Sequence, residues 1–437
     1  MQYHNEAKSV YIVDGSRSAF LKAKGKPGAF SASDLAVYTI RELLKKHSFA
    51  PDQIGEVVTG NTMASPKEAN IGRLIALRVG CGNSVPGWSV HRNCASGMQA
   101  VDSAAKDITL GRHDLVLAGG TEAMSRAPLL FNDKMVNWLA EWYRAKSFLV
   151  KLKLIKRLRP SFFAPIIALR CGLTDSVVGL NMGETAENVA HKFNISREEM
   201  DAFGMRSHQN LADAYEKGYM DEEVVPLFDN KGNIYGHDTG LRADTTLEKL
   251  AKLKPTFDRK FGKVTAGNSS QVTDGAAFLI LANADAIKKY QLPVLGKIID
   301  TNWAGCDPAY MGLGPVYAAT PLLQRNNLSL ADIDYWETNE AFAAQVLGCL
   351  KAWENEQFCR QELGLSGAFG SIDQASFNID GGAIATGHPI GASGARIILH
   401  LAKVLQRKEA KYGIANICIG GGLGGAMLIE SMNEVQE

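Results

Sequence analysis

Net charge is the first thing this sequence lacks. Its 437 residues carry 47 Lys and Arg against 46 Asp and Glu, a formal +1, so no global field holds a polyanion and nucleic-acid binding is not expected. Paired cysteines are missing as well. Cys81, Cys94, Cys171, Cys306, Cys349, Cys359 and Cys418 are odd in number and contain no CxxC. That pattern fits neither a disulfide framework nor a zinc cluster and points to reduced thiols in a cytoplasmic compartment. No apolar run approaches the ~20 residues that cross a bilayer. The first thirty residues show neither a secretory apolar core nor an Arg/Ser-rich transit bias, and the closing NEVQE is no lipidation or peroxisomal address. What is present is an ordinary globular balance, 46% hydrophobic and 21% charged, in a chain long enough for roughly two to four compact units.

Short β-rich runs alternate with helical patterns: SVYIVDG, DLAVYTIRELLKKH, EVVTGNTM and DLVLAGG early on, then PVLGKIIDTNW, IDYWETNEAFAAQ, ASGARIILHLAKVLQ and YGIANICIGG. This grammar predicts an α/β fold with crossover helices. Ala95-Ser96-Gly97 recurs as Ala392-Ser393-Gly394, each opening a helical pattern that leads to an apolar strand ending in glycines, Gly119-Gly120 and Gly420-Gly421. Two halves of similar topology are expected. The stretch from about Ser125 to Thr265 breaks the pattern and reads as an insert. Within it, Lys134 to Pro160 holds eight Lys/Arg against Glu141 alone, with Met135, Trp138, Trp142, Leu149 and Leu152 near one helical face. A basic amphipathic helix suits a membrane surface or an acidic partner; a helix docked on its own domain is the plainer alternative.

Four clusters carry chemistry. Cys94 precedes an amphipathic helix, where the dipole favours thiolate, and Ala95, Ser96 and Gly97 leave space at the sulfur; a buried structural cysteine is the alternative. His388 sits in ATGHPIGASG, extended by Pro389 and framed by glycines that would let a substrate approach. Gly420, Gly422 and Gly425 spell GxGxxG after Cys418, but a strand rather than a helix follows, so dinucleotide binding is rejected in favour of N–H groups presented to an oxyanion, with a tight glycine hairpin around a core cysteine as the alternative. Asn339 and Glu340 follow a strand end, where ligands bind in α/β sheets, although Asn339 could also cap a helix. Together these residues describe acyl transfer through a covalent thioester.

The segments NCASGMQAV, GGTEAMS, NEAFAAQ, GGAIATGHPIGASG and CIGGGLGGAM resemble the thiolase family in order and spelling, across essentially the whole chain. The basic insert and the LRADTTLEKLAKLKPTFDRKFGKVTAGNSS segment are similar to the thiolase subunit of fatty-acid β-oxidation trifunctional complexes. The resemblance implies a five-layered αβαβα fold. Residues 1–124 with 266–289 would form one half, 290–437 the other, and 125–265 an inserted loop domain. It implies that Cys94 is acylated and that His388 activates it and, with a water on Asn339, forms one oxyanion hole. Cys418 would be the acid/base, and the N–H groups of Cys94 and Gly420 a second oxyanion hole. Arg242, Leu253, Phe257, Ala266, Ser270, Met311 and Phe342 match coenzyme A positions, with Met182 near the acyl pocket. Acyl-CoA and coenzyme A are substrates, and no metal or redox cofactor is called for. A homodimer or tetramer, a β-oxidation hydratase/dehydrogenase partner and a peripheral membrane contact through 134–160 are the assemblies expected. Asn181 stands where short-chain relatives usually carry histidine, and Asn339 where trifunctional subunits commonly do. The expected activity is 3-ketoacyl-CoA thiolysis; biosynthetic acetoacetyl-CoA formation and a docking subunit with a vestigial site are the alternatives.

Overall fold

The computed structural model describes residues 8–432; residues 1–7, and the NEVQE terminus at 433–437, lie outside the described residues. The strands that build the core are β1 (Val10–Ser18), β2 (Glu56–Gly60), β3 (Gly87–Val90), β4 (Leu115–Ala123), β5 (Thr273–Ala282), β6 (Gly296–Gly305), β7 (Tyr335–Thr338), β8 (Tyr412–Ile419) and β9 (Leu423–Ser431). Their order is β7-β8-β9-β6-β1-β5-β4-β2-β3. The halves meet where β1 pairs antiparallel with β6, Val10 opposite Ile298 and Ile12 opposite Gly296. Outward from that seam each half repeats one pattern. The first strand pairs antiparallel with β5 or β9, that strand pairs antiparallel with β4 or β8, and a parallel β2 or β7 follows.

The helices are α1 (Ala32–Leu44), α2 (Ile71–Arg78), α3 (Ser96–Thr109), α4 (Asp133–Arg144), α5 (Phe148–Arg157), α6 (Met182–Lys192), α7 (Arg197–Glu216), α8 (Ala284–Tyr290), α9 (Gly314–Arg325), α10 (Ala343–Glu354) and α11 (Ile390–Arg407). Three apolar cores separate the layers. On one outer face Leu35, Ile40, Ile75 and Ile287 pack on Val13, Leu117 and Phe278. Between the half-sheets Met98 and Val101 of α3 and Ile397 and Leu401 of α11 pack on both. On the far face Val189, Val316 and Val346 cover Trp336, Ile414 and Leu428. Successive side chains of β8 alternate between the last two cores, Ala415 and Ile417 inward, Ile414 and Cys418 outward, as strand geometry requires. The result is helix, sheet, helix, sheet, helix.

The recurring Ala-Ser-Gly has a packing reason. A Cβ on Gly97 would come within 2.8 Å of the Gly391 carbonyl, and one on Gly394 within 2.5 Å of the Met98 nitrogen. The two glycines let α3 and α11 touch backbone to backbone, rather than clearing space at a sulfur. The strand-ending glycines are not equivalent: Gly119-Gly120 lie inside β4, with Gly120 against the Gly391 carbonyl, whereas Gly420 begins the turn after β8.

The insert departs from the sequence expectation. Lys134 to Pro160 is not one helix but α4 and α5, interrupted at 145–147. Trp138 Nε1 donates to the Leu154 carbonyl at 2.9 Å, Arg157 pairs with Glu141, and Trp138 stacks on Trp142 at 5.3 Å. Met135 and Leu154 are buried in the hairpin, while Leu149 and Leu152, expected on the same face as Met135, are exposed. An antiparallel pair satisfies both helices with one short seam and leaves the rest of the apolar surface outward.

Candidate active site

The residues singled out from sequence converge on the outer face of β8 and the two helix starts of the middle layer. Ser96 Oγ accepts from the Arg92 N–H and donates to the Asn93 carbonyl, closing the turn that carries Cys94 to α3. Asn93 adopts φ +43° and its Nδ2 donates to the Gly420 carbonyl at 2.7 Å, tying the Cys94 turn of one half to the glycine turn of the other. That second turn needs glycine: Gly421 and Gly422 lie at φ +94° and +75°, where an L side chain is strained. β8 and β9 pair directly across it, Ile419 opposite Leu423, so a strand follows the GxGxxG spelling, as expected from sequence, and the glycines form a hairpin.

A cavity of about 220 Å³ is lined by Cys94, His388 and Cys418, with Asn181, Met182, Phe257, Ser270, Met311 and Phe342 among its walls. Arg242, Leu253 and Ala266 do not line it, nor does Asn339. Asn339 is wholly buried just past β7, with both side-chain amide atoms unpartnered. It caps no helix; the next one, α10, is capped at Phe342 without a side-chain bond.

Burial raises the Cys94 thiol, although the Gly420 and Cys94 backbone N–H groups lower it. The helix start favours thiolate, but losing water outweighs it. Burial, and next the neighbouring Cys94 sulfur, push Cys418 well above an ordinary thiol. Both sulfurs are therefore protonated at rest, so either would need a base to act as a nucleophile.

His388 has the protonation and geometry that a base at this place would need. Burial, with Arg396 as a lesser cause, lowers its pKa to about 4, so the imidazole is neutral at pH 7. Its Nδ1 lies 2.6 Å from Ser393 Oγ, whose own proton goes to the Pro389 carbonyl at 3.0 Å. A hydroxyl has one proton to give, so Nδ1 carries the imidazole hydrogen and Nε2 offers its lone pair. Nε2 is buried without a protein partner. The glycines around His388 serve packing, not access: a Cβ on Gly387 would strike Thr273 and one on Gly391 the Thr121 carbonyl.

Sequence reasoning did not single out Ser393 for this role, nor Glu122. The buried Glu122 carboxylate accepts from Asn61 Nδ2, the Thr62 and Met63 N–H groups and the Gly391 N–H, joining a loop of the first half to the start of α11. Glu340 plays a similar part, accepting from Ser207, Asn378 and the Ile384 N–H beside the approach to His388.

Duplicated half-sheets around a shared helical layer, with a thiol from each half facing one histidine, define the thiolase-like αβαβα class. The chain belongs to the thiolase family: the model for the thiolase N-terminal domain matches residues 10–285 and that for the C-terminal domain residues 292–431. It is 37% identical over 423 residues to a Yersinia pestis 3-ketoacyl-CoA thiolase, covering 96% of each chain. Human mitochondrial 3-ketoacyl-CoA thiolase superposes with a TM-score of 0.81 at 36% identity, covering 97% of this chain and 99% of that one. Bacillus anthracis acetyl-CoA acetyltransferase gives 0.83 at 35%, covering 98% and 100%.

Proposed function

We infer that the protein is a 3-ketoacyl-CoA thiolase working by two acyl transfers through Cys94. His388 Nε2 takes the Cys94 proton as the sulfur attacks the 3-keto carbon, and the oxyanion is met by His388 and a water on Asn339. The C2–C3 bond breaks, its electron pair passes to C2 of the departing acetyl-CoA, and the Cys418 thiol protonates that carbon. Coenzyme A then gives its thiol proton to Cys418 and attacks the Cys94 thioester, whose oxyanion is held by the N–H groups of Cys94 and Gly420. The sulfur leaves, Cys94 recovers its proton from His388, and the shortened acyl-CoA is released.

The observation that carries this reading is the unpartnered His388 Nε2 in a cavity shared by two protonated thiols drawn from opposite halves. Coenzyme A would enter along Phe257, Ser270, Met311 and Phe342, with Arg242, Leu253 and Ala266 on the part of the molecule outside the cavity. The test is thiolysis of a 3-ketoacyl-CoA with free coenzyme A: activity that vanishes in Cys94→Ser supports the assignment, and unchanged turnover in that variant refutes it.

The same reading divides the chain into halves at 1–124 with 266–289 and at 290–437, around an insert at 125–265. The insert's hairpin exposes Tyr143, Phe148, Leu149 and Ile155 among the lysines and arginines of 134–159, a surface suited to anionic lipid headgroups. A cytoplasmic dimer or tetramer, working beside a hydratase/dehydrogenase subunit, completes the proposal; the free state of all seven cysteines is consistent with that compartment.

A further inference from the structure

Cys418 ends its first task as an anion. In the mechanism above its thiol gives a proton to C2 of the departing acetyl-CoA and stays a thiolate until coenzyme A arrives. The surroundings oppose that state. Burial, followed by the sulfurs of Cys94, Cys349 and Cys306, pushes the thiol well above its ordinary value, and only its own backbone N–H acts the other way. No Lys or Arg stands in the cavity wall among the described residues. A buried anion without a cation needs hydrogen-bond donors.

One donor stands on the same face and has no other use. Asn416 is wholly buried on β8, and neither its Nδ2 nor its Oδ1 has a partner. Side chains alternate along a strand, so Asn416 shares the outward face with Ile414 and Cys418. Its ladder neighbours are Thr338 of β7 and Ala426 of β9. Two residues along a strand span about 6.7 Å, a gap between amide and sulfur that a single bridging water fills. The other unpartnered carboxamides do not substitute. Gln345 Nε2 already donates to Cys349 Sγ at 3.9 Å, which leaves only its Oε1 free, an acceptor of no use to a thiolate. Asn339 extends the ladder by one residue, its N–H on the Asn416 carbonyl at 3.0 Å, and so takes the opposite face, the one that Glu337 turns toward Arg396 of α11. An unpartnered carboxamide costs stability in a core, so its presence behind Cys418 points to a function.

Resting on the thiolase reading above, we propose that Asn416 is a positioning residue for the acid/base step: its Nδ2, through one buried water, supplies the hydrogen bond that holds the Cys418 thiolate between the two transfers. No bond is made or broken at Asn416. The proton leaves Cys418 Sγ for C2 of acetyl-CoA and is replaced from the thiol of coenzyme A, while the water and the amide keep their own protons.

The experiment compares Asn416→Thr with Asn416→Val, whose side chains have one shape and differ by a hydroxyl donor. On the full chain it reads kcat for thiolysis of a 3-ketoacyl-CoA, the rate of Cys94 alkylation by iodoacetamide, and melting temperature. The Thr variant is expected to keep most of the natural kcat, whereas the Val variant loses roughly ten- to a hundredfold, the worth of a hydrogen bond to a charged group. Cys94 alkylation, which draws on His388 and not on Cys418, stays unchanged in both. The Val variant melts no lower than the Thr variant, because the lost amide bonds to no protein group. Equal losses of kcat in the two variants, an unchanged kcat in the Val variant, or a Val variant that melts well below the Thr variant or fails to fold, each overturns the proposal while leaving the thiolase reading intact. So does a parallel fall in Cys94 alkylation, which would place the damage in the site as a whole. No thiolysis by the folded natural protein would instead overturn the reading beneath it.

Discussion

At the residue scale the account turns on how the half-buried Cys94 thiol loses its proton. His388 owes its basic nitrogen to Ser393, so Ser393→Ala frees the ring to adopt the other tautomer. A fall in kcat of roughly ten- to a hundredfold is expected, about 1.4–2.7 kcal/mol of barrier, with little change in thermal stability beyond one buried hydrogen bond. Steady-state kinetics beside a thermal melt checks both. Because burial lowers His388 to about 4, the base is lost only as pH falls through that value. The acid limb of kcat/KM should therefore lie well below the ordinary imidazole pKa near 6.5; a limb at 6.5 or above would show the histidine to be exposed. Cys94, His388, Cys418 and Gly420 were legible from sequence because each stands in a short run of unusual composition. Ser393 and Glu122 were not assigned roles because their partners are decided by the fold: Glu122 meets Gly391 across 269 positions, which no local pattern reports. The resting charge of Cys94 was not legible for a related reason, since a helix start is visible in a sequence and loss of water around the sulfur is not.

At the scale of elements, α11 is a buried helix that keeps charged side chains. It lies between two sheets with most of its surface buried, yet it carries Arg396 and His400 inward. Both are answered. Arg396 pairs with Glu337 at 3.1 Å, and His400 Nδ1 meets Glu223 at 3.0 Å while Nε2 faces Asp380 at 3.3 Å. Glu223 in turn pairs with the buried Arg17, which also holds Asp238. Burial lowers the His400 pKa, but Glu223 and Glu337 more than offset it, and the imidazole is raised to about 10. A histidine whose folded pKa exceeds its unfolded value stabilises fully below about pH 6.5 and loses that contribution as pH rises toward the folded value. Melting temperature is therefore expected to fall between pH 7 and 10, with a smaller fall in His400→Gln, itself destabilised at pH 7 by roughly 3–5 kcal/mol because its carboxylate partners remain. Equal pH slopes for the two proteins would contradict this. Periodicity revealed that α11 and β8 exist and in what order; it did not reveal that 134–160 folds back on itself. The break at 145–147 holds neither proline nor glycine, and the contacts across the seam, Trp138 with the Leu154 carbonyl and Arg157 with Glu141, hold the hairpin together.

At the scale of the molecule, function comes from the seam between two copies of one topology. Neither half holds a complete site: Cys94 comes from the first, His388 and Cys418 from the second, and the bond from Asn93 to the Gly420 carbonyl fastens them. This much the recurring Ala-Ser-Gly hinted at, since each copy opens a middle-layer helix and the two helices cross at those glycines. The insert adds what the duplicated core does not have, an exposed apolar hairpin with basic flanks. Sedimentation with liposomes at low salt should carry the protein down with anionic vesicles and not with neutral ones, and replacing Phe148 and Leu149 with Ser should weaken it several-fold. Failure to bind anionic vesicles at low salt removes the membrane contact from the account and leaves the chemistry untouched.

The central claim is that an acyl group rests on Cys94 between two transfers. Peptide-resolved mass spectrometry of the protein quenched after mixing with a 3-ketoacyl-CoA in the absence of coenzyme A reads this directly. The account predicts the mass of the shortened acyl group on the peptide containing Cys94, discharged when coenzyme A is added. Continued turnover with Cys94 unmodified throughout would contradict it.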